Sequence, residues 1–283
     1  MKKSISIWSF YGDWDLKEKF QLAKDAGFDG FEIDVSGDGP ITLDSTEDDL
    51  NAIANQAAEV GISLSGVATG MYWEFNPASS DDETRAKAKQ VLEKQLRVAS
   101  QLNIDTILVV PGAVGADFIP GCEEIPYNIA LERATDFIKP ALPLAEELGV
   151  NIGIENVWNK FLLSPLEMKD FIDQFNTPQV GSYFDVGNVL ATGYPEHWIS
   201  ILGERIKRVH FKDFRRAVAT VDGFCDLLSG DVNWPAVMAA LKSIGYDGWI
   251  AAEMIPPVPF YKHAPETLID NTSHAMDKIF AMG

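Results

Sequence analysis

The sequence predicts an α/β fold of the (β/α)₈ class, a TIM barrel formed as a single domain over residues 1–283. A chain of 283 residues with 46% hydrophobic side chains suits one large barrel better than a sandwich or two full domains. Short β-rich runs alternate with longer amphipathic segments, as in repeated βα units around a parallel sheet. Since no Ser/Gly linker or low-complexity tract interrupts this alternation, we expect one continuous domain.

Eight strand–helix pairs account for nearly the whole chain. The strands are expected at residues 5–8, 30–33, 64–67, 106–110, 151–154, 180–184, 206–210 and 249–252. The helices are expected at residues 15–26, 47–60, 82–102, 128–148, 165–175, 198–203, 234–244 and 265–280.

Start and stop signals delimit several of these helices. Four segments place a glycine after the last helical residue and before the next strand: AKDAGFDGFEI, AAEVGISLSG, LAEELGVNIGI and LKSIGYDGWIAAE. A left-handed glycine there closes the helix and turns the chain toward the sheet. The loop NPASSDDETR precedes the third helix and brings Asp81, Asp82 and Glu83 to its first turn, where negative charge is stabilising.

The charge and cysteine content exclude several classes of partner. With 42 acidic and 23 basic residues, the net charge is −19, so we expect repulsion from nucleic acid and from anionic membranes. Cys122 and Cys225 form no Cys-x-x-Cys pair, which fits a reducing cytoplasm without a disulfide framework or a thiolate zinc site. The apolar run in MKKSISIWSFYGDWD is too short for a signal peptide, and no run of 18 apolar residues predicts a membrane span.

Four successive strands end abruptly in a polar residue. NIGI runs into Glu155, VGSYF into Asp185, IKRV into His210, and WIAA into Glu253. A barrel gathers the C-terminal ends of its strands, where catalytic groups lie, so we expect the four side chains to converge. Because three carboxylates without a cation would raise one another's pKa, the set predicts one divalent metal ion. The donors suit Mn²⁺ first, with Mg²⁺, Co²⁺ and Zn²⁺ as alternatives.

Longer motifs carry a family resemblance across nearly the whole chain. The segments IENVWNK, YFDVGN, VHFKDFRR and GDVNWPAVMAALKSIGYDGWIAAEM resemble the sugar phosphate isomerase/epimerase superfamily with the xylose isomerase-like barrel, in particular its ketose and ketose-phosphate 3-epimerases. The resemblance implies Glu155, Asp185, His210 and Glu253 as metal ligands. It further implies that Glu155 and Glu253 remove and return a proton beside the carbonyl, with the metal binding the substrate oxygens and stabilising the enediolate.

Basic residues after the seventh predicted strand are candidates for substrate contact. Arg216 lies six residues after His210, where the free-ketose 3-epimerases place an arginine on the substrate, and Arg215 competes for that role. Lys212 either orients a ligand, contacts a substrate hydroxyl, or joins a salt-bridged loop. Together with Lys160, these residues could supply positive charge for a phosphate.

Two positions depart from the pattern of the free-ketose enzymes. Leu162 stands near the place of their second glutamate, and Asn188 replaces a histidine. The DVGN and H-x-K-D forms look more like the phosphosugar epimerase and inosose branches. We count Asn188 and Trp73, an aromatic after the third strand, among the substrate contacts with Lys212 and Arg216.

Other residues keep alternative interpretations. Glu32 ends FEID and either reaches a substrate oxygen, holds the histidine or lysine of the site, or makes a structural hydrogen bond. Asp213, like Lys212, either orients a ligand, contacts a substrate hydroxyl, or joins a salt-bridged loop.

The sequence leaves the reaction open between two metal-dependent classes. One is an isomerase or epimerase of a ketose or ketose phosphate, and the other is an inosose or keto-sugar dehydratase. An abasic-site endonuclease of the same superfamily needs three zinc ions and several histidines, whereas this chain has four histidines with one at a strand end. Intact Glu155 and Glu253 argue against an inactive sugar-binding barrel. The expected partner is a small carbohydrate, with neither nucleic acid nor membrane, and with a homo-oligomer left open.

Overall fold

The computed structural model describes residues 1–255 and 261–283, and its eight parallel strands form a closed barrel. The predicted fold class is therefore confirmed. The barrel strands are β1 (Lys2–Ser6), β2 (Gly30–Asp34), β3 (Ser63–Ala68), β4 (Thr106–Val109), β5 (Asn151–Glu155), β6 (Val180–Asp185), β7 (Ile206–Phe211) and β10 (Trp249–Ala252). Their order is β1-β10-β7-β6-β5-β4-β3-β2, and β8 (Asp213–Phe214) and β9 (Phe224–Cys225) form a separate antiparallel pair.

Helices follow the barrel strands. They are α1 (Leu16–Asp25), α2 (Glu47–Val60), α3 (Asp82–Gln101), α4 (Tyr127–Ile138), α5 (Leu142–Leu148), α6 (Pro165–Asp173), α7 (Val186–Val189), α8 (Pro195–Leu202), α9 (Trp234–Ser243) and α10 (Glu266–Phe280). Within the described residues, none of the helices is long and apolar enough to cross a membrane.

The prediction was wrong for one helix and shifted for one strand. The single helix expected at residues 128–148 is two helices, α4 and α5, because Pro140 and Pro143 lack the N–H that a continuous helix needs there. The first strand begins at Lys2 rather than residue 5. Lys3 is buried in this strand because its ammonium is satisfied by Asp277 at 2.6 Å, a contact that local patterning does not reveal.

The glycine signals at the four helix ends are confirmed. Gly27, Gly61, Gly149 and Gly245 all have positive φ angles, between 65° and 89°. A side chain at these positions would be strained, which explains why glycine follows each helix.

The residues fall into two compact units. The first comprises Met1–Ile33, Ile53–Ser65 and Phe184–Gly283, in which β1 pairs in parallel with β2 and β10, and β10 pairs with β7. The second comprises Asp34–Ala52 and Gly66–Tyr183, in which β4 pairs with β3 and β5, and β5 pairs with β6.

The strand register in the first unit determines how far along their strands several polar side chains lie. His210 of β7 lies opposite Ala251 of β10, so Glu253 emerges two residues beyond that pairing. Ser6 of β1 lies opposite Glu32 of β2. These strand ends therefore carry the acidic side chains and the histidine that form the candidate site.

Candidate metal centre and active site

A buried carboxylate and histidine cluster occupies the strand ends. Asp185, His210 and Glu253 are at most 2% exposed, and each offers a ligand atom within 4.8 Å of those of the other two. Glu155, the last residue of β5 in the second unit, is buried at 5% exposure. Asp185, His210 and Glu253 thus form a buried cluster that could hold a metal ion, and Glu155 as a further ligand stays a prediction.

Glu32 sets the orientation of the His210 ring. Its two carboxylate oxygens lie 3.0 and 2.9 Å from His210 Nε2, and both side chains are fully buried. The other ring nitrogen, Nδ1, lies 2.7 Å from Glu253 Oε2 and 3.9 Å from Asp185 Oδ2. A carboxylate that accepts the Nε2 hydrogen directs the Nδ1 lone pair toward the cluster, as in carboxylate–histidine–metal triads. Of the roles left open for Glu32, the structure supports holding the histidine.

Lys212 places a buried positive charge beside two of these carboxylates. Its Nζ lies 2.8 Å from Glu253 Oε2 and 3.4 Å from Asp185 Oδ2. Burial opposes ionisation of Glu253, but Lys212 and His210 together outweigh burial and lower the Glu253 pKa. For Asp185 burial dominates over the attraction of Lys212, and its pKa is raised.

The DVGN motif explains how Asp185 is fixed. Asp185 caps α7, since its Oδ1 accepts the backbone N–H of Asn188 at 2.6 Å. Its Oδ2 is the oxygen that approaches His210 and Lys212. Position 187 requires glycine, because a Cβ added there would lie 2.4 Å from the Cβ of Lys212. Asn188, predicted as a substrate contact, is buried, and its backbone N–H donates to the Asp185 side chain that caps α7.

Ser9 supports the backbone on both sides of Glu253. Its hydroxyl donates to the carbonyl of Ala252 at 3.3 Å and accepts from the N–H of Met254 at 3.0 Å. Tyr11 donates to the carbonyl of Met254 at 2.6 Å, and burial together with the Glu253 charge raises the Tyr11 pKa, so the phenol stays a donor. Sequence reasoning missed Ser9, because only the β1–β10 pairing brings it to this position.

Arg216 and Trp73 lie in settings that the sequence did not anticipate. Arg216 is exposed, donates from Nε to the carbonyl of Leu190 at 3.1 Å, and lies over the ring of Tyr194 at 5.2 Å. Trp73 ends a 3₁₀ turn and packs edge-on against Phe118, with 4.9 Å between ring centroids. Their roles as substrate contacts stay predictions.

The remaining polar candidates are held by neighbouring residues. Asp213 accepts hydrogen bonds from the backbone N–H groups of Phe214 and Val232, so its carboxylate holds the neighbouring backbone in place. Lys160 pairs with exposed Asp117 at 2.5 Å. This ion pair places Lys160 at the surface, as expected for a solvated lysine.

With the barrel and its cluster established, the family can be stated. Residues 20–272 match the family model described as the xylose isomerase-like TIM barrel. The chain therefore belongs to this family, and the resemblance read from its motifs is confirmed.

Two sequence relatives illustrate the range of the family. L-ribulose-5-phosphate 3-epimerase UlaE of Escherichia coli O1:K1 / APEC is 26% identical over 240 residues, which cover 84% of this chain and 81% of the relative. The uncharacterised protein MJ1311 of Methanocaldococcus jannaschii is 25% identical over 186 residues, which cover 64% of this chain and 61% of that protein. The relative with a named activity is an isomerase, the enzyme class that the sequence predicts here.

Solved structures share the fold over its full length. D-psicose 3-epimerase of Clostridium cellulolyticum H10, solved with D-tagatose, superposes with a TM-score of 0.79 at 20% identity, covering 100% of this chain and 99% of its own. The IOLI protein, solved with a zinc atom, has a TM-score of 0.79 at 19% identity, covering 99% of this chain and 98% of its own. At this identity the likeness establishes the fold.

Proposed function

We propose that the protein is a metal-dependent isomerase or epimerase that acts on a ketose or ketose phosphate at the carbon next to the carbonyl. The observation that carries the proposal is the buried cluster of Asp185, His210 and Glu253, whose histidine is oriented by Glu32. The named activities of the relatives, both ketose 3-epimerases, support the same class of reaction.

Glu155, Asp185, His210 and Glu253 would hold one divalent ion. Their chemistry fits such an ion, because three carboxylate oxygens and one neutral imidazole nitrogen are hard and borderline donors. We expect Mn²⁺, with Mg²⁺, Co²⁺ and Zn²⁺ as alternatives. The zinc atom in the IOLI structure supports Zn²⁺ as one of these alternatives. When bound, the ion supplies a Lewis acid that polarises the substrate carbonyl and lowers the pKa of the neighbouring C–H.

The two glutamates have the chemistry for proton transfer. One glutamate, ionised, removes the proton beside the carbonyl to give an enediolate, and the other, protonated, returns a proton to the opposite face of that carbon. In this proposal Glu155 and Glu253 perform these steps. Lys212 adds positive charge next to Glu253, and Arg216, Asn188 and Trp73 complete the proposed contacts with the sugar.

A dehydratase is the second candidate, and the position of Lys212 favours it. An inosose or keto-sugar dehydratase begins with the same proton abstraction and then expels a hydroxyl from the next carbon. A buried ammonium 2.8 Å from the proposed base could protonate that leaving hydroxyl. The same residues therefore serve either outcome, and the products distinguish them.

A substrate panel tests the proposal. Purified enzyme with Mn²⁺ is incubated with L-ribulose 5-phosphate, other ketose phosphates, free D-psicose and D-tagatose, and inososes, and the products are resolved by chromatography. We expect the C3 epimer of one ketose class to accumulate to equilibrium. Loss of water without an epimer would assign the dehydratase, and no turnover on any panel member would contradict both candidates.

The setting of the enzyme follows from the same proposal. We infer one barrel domain over residues 1–283 that acts in the cytoplasm on a small carbohydrate and without nucleic acid or membrane as a partner. The net charge of −19 and the two cysteines support this inference. Size-exclusion chromatography would show whether the enzyme is a homo-oligomer.

Glu32→Gln is expected to weaken metal binding about 10–100-fold, since a partner that orients a ligating histidine typically contributes that much. The substitution preserves size but replaces the charged acceptor of the His210 Nε2 hydrogen by a neutral amide. Titration of metal-free protein with Mn²⁺ measures the dissociation constant. Glu147→Gln, on the exposed face of α5, is the matched control, and equal affinities in the two variants would contradict the orienting role.

A further inference from the structure

We propose that Lys212 is the counterion of Asp185 and Glu253 when no metal is bound, and that a divalent ion displaces its ammonium from these carboxylates. The inference rests on the proposed metal site and adds a second state to it.

The first argument is that Lys212 contacts the oxygen atoms that face His210. Glu253 Oε2 lies 2.8 Å from Lys212 Nζ and 2.7 Å from His210 Nδ1. Asp185 Oδ2 lies 3.4 Å from Lys212 Nζ and 3.9 Å from the same ring nitrogen. The ammonium is therefore close to the donor atoms themselves, so a cation that binds these atoms competes with it directly.

The second argument is the cost of burying these charges. Asp185 and Glu253 are at most 2% exposed, and buried carboxylates are strongly destabilising unless a positive charge accompanies them. Lys212 supplies such a charge, since its Nζ lies 2.8 Å from Glu253 Oε2 and 3.4 Å from Asp185 Oδ2. A divalent ion brings twice the charge to the same oxygens and repels the ammonium, so the two cations exclude each other.

The third argument concerns which part of the Lys212 side chain can move. The Cβ of Lys212 is packed against the backbone of Gly187, which holds the base of the side chain in place. Its outer part borders a small recess that is also lined by Phe224, Glu253 and Met254, and Nζ lies 5.3 Å from the Phe224 ring centroid. Because the base of the side chain is held, the outer methylenes are the part that turns when a divalent ion displaces the ammonium.

Lys212→Met tests the exchange without any sugar substrate. Methionine keeps much of the side-chain length and removes the charge. We expect the melting temperature of chelator-treated protein to fall by roughly 5 °C or more, because two buried carboxylates lose their cation. We expect the Mn²⁺ dissociation constant to fall roughly ten-fold, because the competing charge is gone.

Lys212→Arg and Lys242→Met are the controls. Arginine keeps the charge and should retain a melting temperature close to that of the original protein, while Lys242 is an exposed lysine of α9 whose loss should change neither quantity. If Lys212→Met fails to fold without metal, Lys212→Gln is used for the same two measurements.

The outcomes separate this inference from the proposed function. Unchanged or weaker Mn²⁺ affinity in Lys212→Met would overturn the counterion role. Absence of Mn²⁺ binding in the original protein would overturn both the metal site and the exchange. Expected affinities in a protein that epimerises no ketose would leave the exchange intact and reject only the reaction.

Discussion

Glu253→Gln is expected to lower kcat by about 10²–10⁴-fold, the contribution of a general acid or base. The amide cannot accept the substrate proton, and it also replaces a charged oxygen that lies 2.7 Å from His210 Nδ1. Because glutamine keeps the shape of the side chain and the backbone supports from Ser9 are unaffected, the fold should persist. Steady-state kinetics with the preferred ketose, together with far-UV circular dichroism, measures both quantities.

The control for Glu253→Gln is a glutamate outside the candidate site. Glu147→Gln changes the same functional group on an exposed helix face and should leave kcat within two-fold of the original value, on the order of the small effects of surface substitutions. A normal kcat in Glu253→Gln would contradict the assignment of this residue as acid or base.

Removal of the metal ion should have an effect of similar size. Lewis-acid stabilisation of developing negative charge contributes several kcal/mol, so chelator-treated enzyme is expected to lose about 10³-fold or more of its rate. Readdition of Mn²⁺ should restore activity and raise the melting temperature, since a ligand that binds only the folded state stabilises it. Elemental analysis of the treated protein verifies that no metal is left, and full activity in such a sample would contradict metal dependence.

The barrel was accessible from sequence because its strands and helices follow local patterns, and the candidate ligands were chosen by a local pattern too. An apolar strand that stops at a charged residue is visible without knowledge of any contact, and this rule found Glu155, Asp185, His210 and Glu253. The left-handed glycines were found for the same reason, since a helix end needs a residue that tolerates positive φ.

Short elements were not predictable in this way. Helix α7 has four residues and the β8–β9 pair has two residues on each strand, too few for a hydrophobic period to emerge. The break between α4 and α5 is a different case, because the prolines that cause it are visible in the sequence and were overlooked.

Side-chain partnerships across the barrel depend on register, which the sequence does not reveal. Glu32 and His210 are 178 positions apart, and their hydrogen bond could be named only as one of several alternatives. Ser9 and Met254 are 245 positions apart, and no local signal indicated that Ser9 supports the backbone of Glu253. Lys212 was a candidate for several roles, and the sequence did not reveal that its Nζ lies beside Asp185 and Glu253.

The most direct test of the central claim is solvent deuterium exchange during turnover. The enzyme is incubated in D₂O with its preferred ketose, and the recovered sugars are analysed by NMR spectroscopy and mass spectrometry. Proton removal by one glutamate and return by another predicts deuterium at carbon 3 of the epimeric product, since the returned proton comes from a group that exchanges with solvent. An epimer formed without deuterium at carbon 3 would contradict proton transfer by two separate carboxylates.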